Sequence, residues 1–308
     1  MKPVLLDEPE QIAKLIGELE DYQKLLQRNV QIPQLYMSTM GVKLHPTVPV
    51  SFLTVLLGRC LLFDTTRCFI IDVKTLGAKA FNTPGTSKRT LKDILCDETS
   101  SKVFFDVRNA SHVLSTSFGI SLKGVSDLQL MENAWRRTSK SREFLGGLVE
   151  CVQSTLRHTY FIEFASWMKT YKEGNLYLRN EKDNSLCIMF NYRPVRDQVK
   201  EYCVANIEHL QKLSKNYSTK VLSGEDWVRD ATRKRVVESQ DPDFKHPGLQ
   251  QELAPWSEKQ HESFDKTYRS SSALRRWEIE RQPRQPILER EVGRDFVIDW
   301  LSRLFSGH

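Results

Sequence analysis

The sequence predicts an α/β fold in which a mixed β-sheet is flanked by helices and followed by a mainly helical C-terminal extension. Segments rich in β-branched and aromatic residues, typical of strands, recur between residues 34 and 107. From Thr90 onward such segments alternate with helical patterns, which indicates helices packed on a sheet. After about Tyr217 the chain becomes charge-dense and poor in aliphatic residues, so we expect the compact domain to end near residue 215.

Residues 1–30 are predicted to contain a helix that packs on this domain. Asp7 suits the helix cap and Pro9 suits the first turn. Apolar residues then recur at helical spacing over residues 7–28: Ile12, Leu15, Ile16, Leu19 and Leu25.

Residues 31–215 are predicted to form the sheet domain. Four segments read as strands, of which the first three are expected to form a meander: "QLYMSTM", "VSFLTVLL", "CFIIDV" and "KVFFDV". "TLKDILCD" indicates a short helix, "ASHVLSTSFG" a helix ended by Gly119, and "GVSDLQLMENAWR" a strand leading into a helix. An amphipathic pattern predicts one further helix over residues 196–215.

Residues 216–308 are predicted to be a basic, partly disordered extension. It begins with the basic helical run "WVRDATRKRVVES" and continues through a charge-dense segment to Pro286. Its last part, "RDFVIDWLSRLF", predicts an amphipathic helix that docks on its own domain or on a protein partner, including a second copy of the chain.

Composition and motifs limit the classes of function that this protein can have. The formal net charge of +6 is compatible with a polyanionic partner, and equally with a basic surface that serves solubility. No P-loop, G-x-G-x-x-G or G-x-S-x-G motif is present. Six cysteines without a C-x-x-C pair indicate reduced thiols in an intracellular protein, cytoplasmic or nuclear. No apolar stretch approaches the length of a membrane span, so no membrane partner is expected.

Several segments carry a resemblance to a known family. They are "FIIDVKTLGAKAF", "TLKDIL", "KVFFDVRNASHVLSTSFGISLKGVSDLQLMENA", "FNYRP" and "EYCVANIEHLQKL". Together they resemble the RNase D-like branch of the DEDD (DEDDy) 3'-5' exonuclease family, in particular its fungal exonuclease-domain proteins. The resemblance covers roughly residues 30–215. It implies a ribonuclease H-like mixed sheet and a cluster of carboxylates that binds two Mg²⁺ or Mn²⁺ ions for phosphodiester hydrolysis.

The positions that match the family's carboxylates are neutral in this chain. An Asp-x-Glu pair on the first strand corresponds to Ser38 and Met40, and the two later acidic positions correspond to His112 and Asn206. Tyr202, which the family uses to position the attacking water, is retained. The resemblance therefore implies an exonuclease fold without its metal ligands, with Met40 filling the former metal cavity as an apolar plug.

Other acidic residues remain near predicted strand ends: Asp72, Asp106, Asp127 and Glu132. Helix capping and hydrogen bonding in loops account for such residues. The alternative is that Asp72, Asp106 and Asp127 form a rearranged metal site, which would need Mg²⁺ or Mn²⁺ for activity.

Basic residues provide candidate contacts to phosphate, and "WRRTSKSR" at 135–142 is the densest run. Such a run also reads as a solvated helix end. Binding through these residues would be salt-sensitive and largely independent of sequence. The candidates are Lys43, Arg108, Arg136, Arg137, Lys140, Arg142 and Arg193.

Three hypotheses of function follow from these patterns. The first is an inactive exonuclease-like protein that binds nucleic acid, RNA rather than DNA, or acts as an adaptor in RNA metabolism. The second is a scaffold for protein interaction or dimerisation that does not bind nucleic acid. The third is an active metal-dependent exonuclease with a rearranged site. We favour the first because all four matched carboxylate positions are neutral.

Overall fold

The computed structural model describes residues 1–27, 35–41, 50–58, 66–136, 142–156, 161–179, 187–221, 225–244 and 253–268. The chain divides into two compact units, residues 1–258 and residues 259–308. The first unit contains the sheet. Lys43, Arg137, Lys140 and the predicted helix within 294–305 lie outside the described residues.

The described strands form one mixed, six-stranded sheet. They are β1 (Val4–Leu6), β2 (Leu35–Met40), β3 (Phe52–Leu57), β4 (Arg67–Asp72), β5 (Lys102–Phe104) and β6 (Val125–Asp127). Their order in the sheet is β1-β4-β3-β2-β5-β6. The predicted meander of β2, β3 and β4 is confirmed, and β5 and β6 extend it by parallel pairing. The short strand β1, which pairs in parallel with β4, was not predicted because three residues carry too little pattern.

Helices of the first compact unit flank this sheet, as predicted. The described α-helices are α1 (Pro9–Gln27), α2 (Val73–Leu76), α3 (Lys79–Asn82), α4 (Leu91–Cys96), α5 (Arg108–Phe118), α6 (Leu128–Trp135), α7 (Leu148–Leu156), α8 (Phe161–Arg179), α9 (Asp197–Ala205), α10 (Leu210–Val221), α11 (Glu225–Ser239) and α12 (Glu258–Tyr268). A short 3-10 helix spans Cys187–Asn191. None of the described helices is both long and apolar enough to cross a membrane.

The prediction of one continuous helix over residues 196–215 is wrong. The chain forms α9 and α10, separated by a turn at residues 206–209. Asn206 ends α9 because its side-chain Nδ2 donates to the Tyr202 carbonyl at 2.7 Å, and its backbone N–H donates to the same oxygen at 3.2 Å. A side chain that bonds the backbone in this way competes with helix propagation. The apolar pattern hides the break because Ile207 within the turn and Leu210 at the start of α10 are both buried.

Alternation along the strands divides the core into two layers. On one face of the sheet, Leu35 and Met37 contact a cluster that includes buried residues of α1, α4 and α5. On the other face, Tyr36 and Leu56 contact buried residues of α7, α8 and α10. The sheet is therefore covered on both faces.

The segment after residue 215 begins with ordered structure. The predicted basic helix is confirmed as α11, which packs against α5, α6 and β6. Val236 of α11 is buried in the same cluster as Leu35 and Met37. α11 belongs to the first compact unit. The predicted domain boundary at residue 215 stays a prediction.

Candidate functional site

Ser38 and Met40 lie at the carboxyl end of β2, and their spacing of two places both on one face of the sheet. Ser38 lies opposite Thr54 of β3, and Met40 lies opposite Phe52. Phe52 in turn lies opposite Asp72 of β4. Met40, Phe52 and Asp72 therefore form one row across three strands, which we call the edge row.

The edge row opens onto an apolar cluster. Met40 packs against buried residues that include Phe52, Ile70, Tyr202 and Cys203. Burial raises the pKa of the Cys203 thiol to about 12, so this environment stabilises neutral groups relative to charged ones. A carboxylate at residue 40 would lose hydration here. The strand end that would supply metal ligands in the resembled family is a packing surface in this protein.

Tyr202 is retained in sequence, but its side chain is only 2% exposed. Its hydroxyl donates a hydrogen bond to Oδ1 of Asn175 on α8 at 2.8 Å. The two helices meet closely at Gly174, where an added Cβ would lie 1.9 Å from Cδ2 of Tyr202. The Tyr202 hydroxyl is thus engaged within the protein by a helix that the sequence did not predict.

Asn206 has a structural contact that an aspartate could not make. Its Nδ2 donates to the Tyr202 carbonyl, and a carboxylate has no hydrogen to donate to that oxygen. An aspartate at this position would place its two carboxylate oxygens near the Tyr202 carbonyl oxygen, and all three atoms are hydrogen-bond acceptors. The neutral amide of Asn206 therefore makes a hydrogen bond at the end of α9 that a carboxylate would lose.

His112 contacts the end of α11 and the residues that follow it. Its Nδ1 is 3.0 Å from the Ser239 carbonyl, so this nitrogen donates the hydrogen. Its ring lies 5.5 Å from that of Phe244. The structure therefore brings Met40 and Tyr202 into one cluster and places His112 against the end of α11.

The predicted capping roles of two acidic residues are confirmed. Asp72 caps α2 by accepting hydrogen bonds from the backbone N–H and the hydroxyl of Thr75, at 3.0 and 2.9 Å. Asp127 caps α6 by accepting from the backbone N–H of Gln129 at 3.0 Å. Both carboxylates are fully buried. Each is also paired with an arginine, Asp72 with Arg193 and Asp127 with Arg235.

These acids do not assemble into a rearranged metal site. Asp72 ends β4 and Asp127 ends β6, four strand spacings apart, which corresponds to about 19 Å across the sheet. Asp106 forms an ion pair with Arg108 at 2.6 Å. Within the described ranges, no group of three His, Cys, Asp or Glu side chains is placed to hold a metal ion. A hydroxyl at Ser38 and a thioether at Met40 are also poor ligands for Mg²⁺, so these residues do not fit the two-metal centre.

Arg193 anchors the segment that crosses the edge row. Its guanidinium pairs with both oxygens of Asp72, and its Cζ lies 4.7 Å from the centre of the Phe52 ring. Its Nη1 donates to the carbonyls of Phe190 and Tyr192 at 3.0 and 2.7 Å. Sequence reasoning missed this arrangement, although the quoted "FNYRP" segment contains it.

The other described candidates for phosphate contact are also engaged within the protein. Arg108 is 6% exposed and holds the Asp106 carboxylate. Arg136 holds Glu132 at 2.6 Å and donates to the Phe144 carbonyl at 2.7 Å. Arg142 is buried. A phosphate would have to displace these contacts, and the proposed role of the seven basic residues stays a prediction.

Comparisons place this architecture among known folds. No protein-family model and no curated protein matches the chain. Trypanosoma brucei RNase D in complex with GMP matches with a TM-score of 0.58 and 17% identity, covering 86% of this chain and 70% of that chain. The same enzyme in complex with RNA U12 matches with a TM-score of 0.58 and 17% identity, covering 84% and 78%. Escherichia coli RNase D, an exoribonuclease involved in structured RNA processing, matches with a TM-score of 0.52 and 16% identity, covering 78% and 51%. The chain has the fold of the RNase D-like 3'-5' exonucleases.

Proposed function

We propose that this protein is a catalytically inactive member of the exonuclease fold that binds single-stranded nucleic acid, RNA in preference to DNA. One observation carries the proposal. At the strand position where the resembled family has a carboxylate, Met40 packs into an apolar cluster with Phe52 and Tyr202.

The chemistry of the site supports the loss of catalysis. Hydrolysis by two metal ions needs several carboxylates on one face, so that the metals can activate water and stabilise the leaving oxygen. Here Ser38 and Met40 occupy the strand positions, and the amide of Asn206 is used to end α9. The hydroxyl of Tyr202 donates its hydrogen to Asn175, so that hydrogen is not available to a water molecule.

The choice of RNA as ligand rests on charge and on likeness of fold. The formal net charge of +6 favours association with a polyanion. The solved structures that share this fold include an RNase D bound to RNA U12 and one bound to GMP. An adaptor role in RNA metabolism and the specific likeness to fungal exonuclease-domain proteins stay predictions.

The test measures binding and cleavage on the same samples. The full-length protein is incubated with end-labelled U12 RNA or its DNA counterpart in Mg²⁺, Mn²⁺ or EDTA, with E. coli RNase D as the positive control. We expect RNA binding that weakens by more than about tenfold between 50 and 200 mM salt, with every oligonucleotide remaining at full length. Metal-dependent shortening from the 3' end would overturn the claim of inactivity. Absence of binding to any oligonucleotide would overturn the nucleic-acid function and leave the scaffold hypothesis.

A further inference from the structure

We infer that Tyr192, Arg196 and Lys74 form a stacking platform for single-stranded nucleic acid beside the edge row. We call these three residues the edge platform. The inference rests on the proposed function, because it names the surface through which that binding occurs. None of the three belongs to the basic residues singled out from the sequence.

The edge platform presents an aromatic ring to solvent. Tyr192 is 53% exposed, and in the part of the chain that the structure describes it is the one aromatic among the large exposed apolar side chains. The guanidinium Cζ of Arg196 lies 5.8 Å from the centre of its ring. An exposed aromatic ring with an adjacent guanidinium accepts a stacked base of any sequence, as single-strand-binding proteins require.

The segment that carries Tyr192 is held firmly by its neighbours. Arg193 bonds the Tyr192 carbonyl and is itself paired with the buried Asp72. On the other side, Lys74 Nζ donates to the Asn191 carbonyl at 3.1 Å, and the hydroxyl of Ser51 bonds Asn191 Oδ1 at 3.2 Å. A surface fixed before binding loses little conformational entropy when a ligand arrives.

The charges around the ring suit a phosphate backbone. The positive charge of Arg193 is compensated by Asp72, so it contributes little to attraction. Arg196 and Lys74 are exposed and form no ion pair with a carboxylate among the described residues. Arg196 lies over the exposed ring and Lys74 bonds the neighbouring residue Asn191, so phosphates next to a stacked base would meet positive charge.

A nucleic acid suits this surface better than a protein partner does. Protein interfaces have an apolar core several residues wide, surrounded by a polar rim. The edge platform offers one exposed ring with two cations near it. This combination matches a base and its neighbouring phosphates.

The test compares variants of the full-length protein by fluorescence anisotropy with labelled U12 RNA. Tyr192→Ala is expected to raise Kd by about tenfold or more through loss of stacking, and Tyr192→Phe to remain close to wild type because the ring is kept. Arg196→Ala is expected to reduce the slope of log K against log salt by about 0.7. Arg233→Ala is the matched control, since it removes the same charge from an arginine that is 58% exposed on α11.

The outcomes separate the inference from the proposed function. Wild-type binding that Tyr192→Ala and Arg196→Ala leave unchanged would overturn the edge platform and preserve nucleic-acid binding through another surface. A wild-type protein that binds no oligonucleotide would overturn the proposed function itself. Equal weakening by Arg196→Ala and Arg233→Ala would indicate attraction by net charge alone and would also overturn the inference. Melting curves of each variant establish that the fold is retained.

Discussion

The individual residues at the positions that match the carboxylates of the resembled family make structural contacts in this protein. Met40 contributes to the apolar cluster with Phe52 and Ile70. The amide of Asn206 donates to the Tyr202 carbonyl, which a carboxylate could not do. A metal-free cluster of carboxylates would be repelled by its own charge and destabilised by burial. Without bound metal, neutral side chains at these positions therefore make the fold more stable than acidic side chains would.

Gly174 permits the contact that buries Tyr202, and its replacement is the first prediction. Gly174→Ala places a Cβ 1.9 Å from the Tyr202 ring, so we expect it to lower the free energy of unfolding by about 1–3 kcal/mol through overpacking. Gly17→Ala on α1 is the control, because its Cβ would meet only Thr86 Oγ1 at 3.9 Å. That variant is expected to gain about 0.5–1 kcal/mol from helix propensity. Urea unfolding of both variants measures the difference.

An unchanged stability of Gly174→Ala would mean that the Tyr202 ring can move away from α8. In that case the hydroxyl of Tyr202 would not be held by Asn175 and would be available to the edge row. A loss in both variants would instead point to a general intolerance of alanine at helical glycines.

At the scale of elements, α11 is fastened to the end of the sheet by a buried carboxylate. Arg235 of α11 donates to Asp127 at 2.8 Å and to Gln129 Oε1 at 3.1 Å. Asp127 also accepts from the backbone N–H groups of Asp106 and Val107, at 3.0 and 3.3 Å. One carboxylate thus joins β6, α6, α11 and the connection between β5 and α5. The helix also lies along β6, the edge strand that would otherwise be open to pairing.

Two arginines on α11 provide a matched pair for the second prediction. Arg235 and Asp127 are 8% and 0% exposed, so Arg235→Ala leaves a buried charge and is expected to cost about 3–5 kcal/mol. Arg233 and Glu98 are 58% and 57% exposed, so Arg233→Ala is expected to cost less than about 1 kcal/mol. Chemical denaturation of the two variants measures both values. Similar losses would show that the buried pair does not fasten α11.

The sequence predicted some elements well and others not at all. The meander and the helix ended by Gly119 were recovered because their patterns are local and strong, and Gly119 adopts the left-handed conformation that ends a helix. For α7 and α8 no prediction was made. The break between α9 and α10 was missed because the buried residues continue in phase through Ile207 and Leu210. The spacing of apolar residues does not indicate a hydrogen bond from the Asn206 side chain to its own helix.

At the scale of the whole molecule, the third prediction concerns metal ions. We expect the melting temperature to be the same in Mg²⁺ and in EDTA, at matched ionic strength. The reason is that the buried carboxylates Asp72 and Asp127 are already bonded to arginines and lie about 19 Å apart. A metal held at 100 times its Kd would stabilise the fold by about 2.7 kcal/mol. A rise in melting temperature that depends on Mg²⁺ concentration would therefore contradict this prediction.

The sequence by itself determined the α/β class, the meander and the neutral identity of Ser38, Met40 and Asn206, because these depend on residue type and local pattern. Only the tertiary structure decided which side chains meet. Asp72 and Arg193 pair across 121 positions of sequence. Tyr202 is buried by Gly174 and Asn175 of a helix that was not predicted. Periodicity encodes which face of an element is buried, whereas a contact between distant elements depends on how the whole chain packs, so the neutral residues Ser38, Met40 and Asn206 could be read from the sequence and the pairing of Asp72 with Arg193 could not.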